Sequence, residues 1–267
     1  MRTLIPILVF LFLTSFVDAA TVGETDRFLP LVHDGGGWTT QVTLVNLSRK
    51  PSLAVVSFLS NTERDGNWKL GLKTSAGKIN GSVVDVPLAP GAMAVIETAG
   101  TDKELARGFA EVFEISNNTI GAFATVTQRD GDRIVQSFKI ALAPGHERRS
   151  VLPLDLGDSQ AKPELVLVSL TTTTTLDIIF RNLAGEQVLT DQIYLDNKTQ
   201  VFLSVRDQWP QLKDFRGTME WAVSFPGADR YEPRYLSALQ LNIRDGQMWT
   251  VSSSMTLPAD QASTSPY

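Results

Sequence analysis

Catalysis and binding need histidines, acids, nucleophiles or exposed aromatics at workable spacing, and this 267-residue sequence holds few. It has two histidines. His33 stands beside Asp34 and opens the string His33-Asp34-Gly35-Gly36-Gly37-Trp38. No Gly-x-Ser-x-Gly nucleophile elbow is present for such a pair to serve. His146-Glu147-Arg148-Arg149-Ser150 begins like a zinc helix but lacks the second histidine, so no ligand pair forms. Asp130 and Asp132 could hold calcium, but a calcium loop needs a longer run of oxygen ligands. Asp130-Gly131 reads instead as a hairpin turn. The triple glycine could aim backbone amides at an anion. A phosphate loop feeds a helix N-terminus, however, and Thr39 to Leu47 alternates as a strand does. The string therefore reads as a flexible corner that folds Trp38 onto a sheet. No catalytic residue, metal site or cofactor is expected from these patterns.

Aromatic binding is the other chemistry on offer. Exposed tryptophans stack on sugar rings, and the chain has Trp38, Trp68, Trp209, Trp221 and Trp249. Trp221 and Trp249 lie in strand-like runs and read as core. Trp68 falls in a polar, Gly-rich stretch and Trp209 in a helix-like link, so these two are the better ligand candidates. Tyr231 lies in a second loop-like segment, Phe225 to Arg234. The candidate ligand-binding set is thus Trp68, Trp209 and Tyr231, with His33, Asp34 and Trp38 at the glycine string.

The elements that must position these residues come in two copies. Phe28-Leu29-Pro30-Leu31 returns as Val151-Leu152-Pro153-Leu154, and Leu44-Val45-Asn46-Leu47 as Leu167-Val168-Ser169-Leu170, both 123 residues on (28 to 151, 44 to 167). Arg107-Gly108-Phe109-Ala110-Glu111 returns as Arg216-Gly217-Thr218-Met219-Glu220, and Arg129-Asp130-Gly131 as Arg244-Asp245-Gly246. Matches in one order imply a duplicated domain. We place domain 1 at residues 21–143 and domain 2 at 144–258. A Pro-Gly link at Ala143 to His146 joins them, and a small, polar, disordered tail spans 259–267. Within each copy the apolar period is two: Val42, Leu44 and Asn46; Ala54, Val56 and Phe58; Leu176, Ile178 and Phe180. Short runs rich in Val, Ile, Thr and Phe, punctuated by turn residues, predict antiparallel strands. About seven of them per copy suggest an immunoglobulin-like sandwich. The expected fold class is all-β: two tandem immunoglobulin-like antiparallel sandwiches after a signal peptide. One short helix is expected in each copy, over Thr101–Ala106 and Val205–Leu212. Thr171 to Thr175 reads as an exposed turn. Domain 1 has a longer segment between Ser60 and Ser82, which reads as a loop of the kind that carries binding.

Residues 1–19 read as a signal peptide: Arg2, then an apolar run from Leu4 to Phe16, then Val17-Asp18-Ala19 as a cleavage site. No later stretch approaches a membrane span. The chain has no cysteine and a net charge of −5. That balance excludes nucleic acid, which needs a concentrated basic face. A cysteine-free exported chain fits a bacterial periplasmic or secreted protein. Asn46, Asn80, Asn117 and Asn197 carry sequons that mean nothing in a bacterium.

Phe28-x-Pro30, then Asp34-Gly35-Gly36-Gly37-Trp38-x-Thr40-x-Val42-x-Leu44-x-Asn46, resembles the opening of a family of exported bacterial tandem β-domain proteins, mostly uncharacterised. Phe215-Arg216-Gly217-Thr218-Met219-Glu220 resembles the penultimate segment of their second copy. Leu170-Thr171-Thr172 departs from the pattern, standing where those proteins have an Asn-Pro turn. The resemblance implies export and an immunoglobulin-like sandwich, and no chemistry. The expected function is non-enzymatic binding or support at the cell envelope or outside it, with an envelope or extracellular protein, or a polysaccharide, as partner. Contact would be through loops or through a strand added at a sheet edge. The alternatives are a carbohydrate-binding module and a periplasmic pilus-type chaperone, although the basic anchor cleft of the latter is not evident. Exposed sheet edges on both domains allow a dimer without establishing one.

Overall fold

The computed structural model describes residues 27–61, 67–114, 119–144, 149–169, 173–196, 199–224, 236–251 and 255–256. The expected signal peptide, the 259–267 tail, Tyr231, the His146-Glu147 pair and Thr171-Thr172 lie outside these residues; Thr174 and Thr175 belong to a strand and Thr174 is buried, so this part of the run is not the exposed turn expected.

The all-β antiparallel sandwiches expected from the alternation are what the chain forms. The first eight strands are β1 (Arg27–Asp34), β2 (Trp38–Asn46), β3 (Ser52–Leu59), β4 (Leu70–Thr74), β5 (Gly77–Gly81), β6 (Val83–Leu88), β7 (Met93–Thr98) and β8 (Ala106–Glu114). The hairpin of β9 (Ile120–Asp130) and β10 (Arg133–Ala141) follows, then β11 (Ala143–Pro144). One sheet has the order β11-β1-β8-β3-β6 and the other β10-β9-β2-β7-β4-β5. This order refines the immunoglobulin-like expectation. Strands 1-8-3-6 facing 2-7-4-5 form a jelly roll, in which β1 and β2 lie in opposite sheets. An immunoglobulin domain keeps its first two strands in one sheet.

The remaining strands are β12 (Arg149–Asp155), β13 (Lys162–Ser169), β14 (Thr174–Asn182), β15 (Gln187–Leu195), β16 (Thr199–Ser204), β17 (Arg216–Ser224), β18 (Leu236–Arg244), β19 (Gln247–Val251) and β20 (Met255–Thr256). Their sheets run β15-β14-β17-β12-β20 and β16-β13-β18-β19. Strand for strand this is the first order again, lacking only the β4–β5 hairpin. A short helix α1 (Val205–Gln208) and a 3-10 turn (Pro210–Leu212) precede β17, as expected. The helix expected over Thr101–Ala106 does not form. Residues 101–105 are irregular, and Ala106 already belongs to β8.

The alternating runs bury the faces the sequence marks. Ala54, Val56 and Phe58 are fully buried, as are Leu176 and Phe180. The turns also follow from composition. Asp245 and Gly246 both adopt positive φ between β18 and β19, the two-residue geometry that matches strand twist. The 60–82 segment is less a loop than expected. Leu70 and Leu72 of β4 are buried in the first core, so this hairpin is structural.

The two sandwiches pack into one body. β13 explains how: Leu165 and Leu167 enter the second core, while Val166 joins the first and Val168 clusters with Phe28, Leu59 and Phe109. A strand buried on both faces reads as a continuous apolar run, which is what Leu165 to Val168 is. The link expected at Ala143-Pro144 is likewise tied down, for β11 pairs with Arg27 and Phe28 of β1.

Candidate functional site

A groove of about 740 Å³ lies where the two sandwiches meet. Its walls are the 102–107 segment of domain 1, Ser60 and Asn61 at the end of β3, and Gln200 and Phe202 of β16. Three local devices build it.

The first is the glycine string. Gly35, Gly36 and Gly37 have φ of 80°, 59° and 82°, a left-handed run closed to most side chains. The nitrogens of Gly35 and Gly36 donate to the carbonyls of Trp38 (3.1 Å) and Asp102 (2.9 Å), and Arg129 N donates to the Gly37 carbonyl (2.8 Å). A Cβ on Gly35 would stand 2.2 Å from the Glu104 carbonyl oxygen. The string is therefore a joint against which the groove wall is pressed, not the flexible corner expected. Two of its amides are spent on backbone carbonyls, so the anion reading fails for a second reason. Asp34 completes the joint by accepting from Gly100 N at 2.8 Å.

The second device is a buried amide. Between Leu29 and Val32, β1 bulges against β8. Gln200, reaching across from domain 2, donates through Nε2 to the carbonyls of Pro30 (2.7 Å) and Gly108 (2.8 Å) at this irregularity. Asn61 closes the contact, its Oδ1 accepting from Gln200 N at 2.7 Å and its Nδ2 donating to Gln200 O. The third device is Arg107, whose guanidinium lies 4.8 Å from the ring centre of Phe202. The floor is thus internally satisfied, and the charged side chains exposed on the wall are Asp102, Lys103 and Glu104. Their mixed charge suits a polar partner rather than an apolar one.

The structure scatters the candidate residues read from the sequence. Trp68 is 6 % exposed and packs against Gly108, where a Cβ would meet its ring at 2.6 Å. Trp209 is 1 % exposed, donates Nε1 to Asp191 at 2.7 Å and sits edge-on to Phe180. Neither offers a ring face to a sugar, which corrects their choice as ligand candidates. Trp38 is core, with the His33 ring edge-on at 4.9 Å. Trp249, expected in the core, is 40 % exposed on β19. Trp221 is buried as expected.

His33 and Asp34 do not form an acid–base pair. Asp34 is engaged by Gly100, and His33 is fully buried with neither ring nitrogen partnered among the described residues. Burial first, and the Arg107 charge second, push its pKa down to about 3, so the ring is neutral at ordinary pH. Among the described residues no group of three or more His, Asp or Glu side chains is placed to hold a metal.

Sequence reasoning missed Gln200 and Arg206. Arg206 binds the carbonyls of Leu156 (2.8 Å), Asp158 (2.6 Å), Ala161 (3.0 Å) and Lys213 (3.0 Å), bracing in domain 2 the corner that glycines brace in domain 1. A signal existed for it: Gly157-Asp158-Ser159-Gln160 lacks the glycines, so something else must satisfy that corner.

No protein-family profile matches the chain, and no curated protein matches it. Among solved structures, a crystal structure of a protein from Parabacteroides distasonis provisionally termed secreted aligns over 86 % of this chain and 85 % of that one. The identity is 9 % and the TM-score 0.23, a likeness too slight to carry any inference. No helix among the described residues is long and apolar enough to cross a membrane.

Proposed function

We propose that this chain is an exported, non-enzymatic binding protein of the bacterial periplasm or extracellular space, whose ligand engages the groove between its two sandwiches. One observation carries the reading: the two domains are locked together by Gln200 and Asn61, and the groove beside that lock is walled by both. A rigid scaffold presenting an exposed, charged 102–104 wall is the arrangement expected of a recognition surface. The leader-like first nineteen residues and the absence of cysteine support export. The partner favoured by the mixed-charge rim is an envelope or extracellular protein. A carbohydrate-binding reading keeps only Trp249, the one tryptophan among the described residues with substantial exposure.

The test is capture from native envelope extract by residues 20–267 beside the variant Asp102→Lys/Lys103→Glu/Glu104→Lys. These three side chains are exposed, so the variant should melt as the parent does. A partner held by the parent and released by the variant places recognition at the groove. A partner held equally by both refutes the groove as the site. Excising residues 61–80 is a poor alternative, since it removes Trp68, Leu70 and Leu72 from the core.

A further inference from the structure

The four sheets have eight edges, and seven of them are closed or blunted. β10 and β19 face each other across the domain seam: Gln136 accepts from Met248 N (2.6 Å) and donates to Gly246 O (3.3 Å), and Thr250 Oγ1 donates to Lys139 O (3.1 Å). β16 is held at Gln200 by the Asn61 side chain. β11 and β20 are two residues each. β5 is five residues bounded by glycines and carries Lys78, and β6 is interrupted by Pro87, which has no N–H to offer.

Among the described residues the remaining edge, β15, is the least protected: its register slips once, between Gln187 and Leu189, and the Asp191 carboxylate caps one amide, that of Gln192. Gln187 to Leu195 contains no proline, glycine, lysine or arginine, and its register against β14 is unbroken from Leu189 to Leu195. The side chains alternate, with Thr190, Gln192 and Tyr194 exposed and Ile193 and Leu195 buried. Gln192 N–H lies at the open edge, where the Asp191 carboxylate caps it at 2.8 Å. By the two-residue period of a strand, Thr190 and Tyr194 present their backbone groups there too. The charge along this edge is of one sign. Asp191 lies at its middle, Glu186 and Asp196 flank it, and Asp177 stands behind on β14. The nearest arginine on β14, Arg181, is bridged to Glu220.

We propose that the β15 edge is a strand-addition site for an extended segment of a partner protein that carries a lysine or arginine opposite Asp191. Backbone hydrogen bonds from Thr190 and Tyr194 supply the pairing, and the carboxylates select the sign of the incoming strand. A second copy of this chain is the poorer occupant, because two β15 edges would bring like charges together. The inference is independent of the groove.

Amide hydrogen exchange on residues 20–267 tests it, with two nine-residue probe peptides of alternating Thr and Val, one with a central Lys and one with a central Glu. The Lys peptide should slow exchange at Thr190 and Tyr194 about fivefold or more, the worth of roughly one net hydrogen bond, while the Glu peptide leaves it unchanged. Tyr194→Pro should abolish the effect, because it removes an outward N–H at an exposed position of the edge. Asp191→Asn should erase the preference between the peptides. No protection by either peptide, or equal protection by both, overturns the proposal. Protection that grows with protein concentration alone assigns the edge to a second copy and overturns it as well.

Discussion

The lock between the domains should be worth several kcal/mol, and Gln200→Leu measures it. Gln200 is buried, and its Nε2 serves two carbonyls, of Pro30 and Gly108, that flank the β1 bulge. Leucine fills nearly the same volume, so no cavity opens and the loss is that of the donor. A buried acceptor deprived of its partner costs about 1–3 kcal/mol, giving about 2–6 kcal/mol for the pair. For a chain of this size about 2–4 °C of melting temperature accompanies each kcal/mol, so the transition should fall by about 4–24 °C. Scanning calorimetry is the assay, with Gln187→Leu on the exposed start of β15 as a control expected to move little. Because Gln200 joins two cores, the variant should also lose cooperativity, with the halves beginning to melt separately. A shift no larger than the control's, with one undivided transition, would refute the view that this amide holds the sandwiches together.

Other perturbations follow from the same geometry. His33 is neutral when folded, with a pKa near 3 against 6.5 unfolded, so the unfolded chain takes up the proton first as the solution is acidified. Its contribution to stability is intact above pH 6.5 and falls by about 1.4 kcal/mol per pH unit down toward pH 3. His33→Leu should therefore flatten the acid limb of stability, by about 2 kcal/mol between pH 6.5 and 4.5, in urea titrations at stepped pH. Gly35→Ala places a Cβ 2.2 Å from the Glu104 carbonyl at a φ of 80°, and should cost about 3 kcal/mol or more in the same titrations. Trp209→Phe keeps the contact with Phe180 but takes from Asp191 Oδ2 its Trp209 donor, leaving the carboxylate only Gln192 N–H. It should cost about 1–3 kcal/mol, read by thermal unfolding.

Strands, turns and the repeated pattern are legible in the residues alone. Period-two alternation in Ala54-x-Val56-x-Phe58 is decided by which side of a pleat faces water, and Asp245-Gly246 by which residues tolerate positive φ. Those are properties of a few neighbouring residues, so they are legible in one dimension. Which strands pair, and so the jelly-roll order, emerges only on folding, because alternation specifies a buried face without naming the strand beside it. Folding also decides the site. Trp68 and Trp209 looked available in polar segments, yet Trp68 fills the space over Gly108 and Trp209 packs on Phe180. The groove, its lock at Gln200 and the open β15 edge arise from residues as far apart as Pro30 and Gln200. Their contact depends on how two sandwiches stack. That stacking rests on Val166 and Val168 facing away from their own core, and no local pattern separates such residues from a strand buried within one domain.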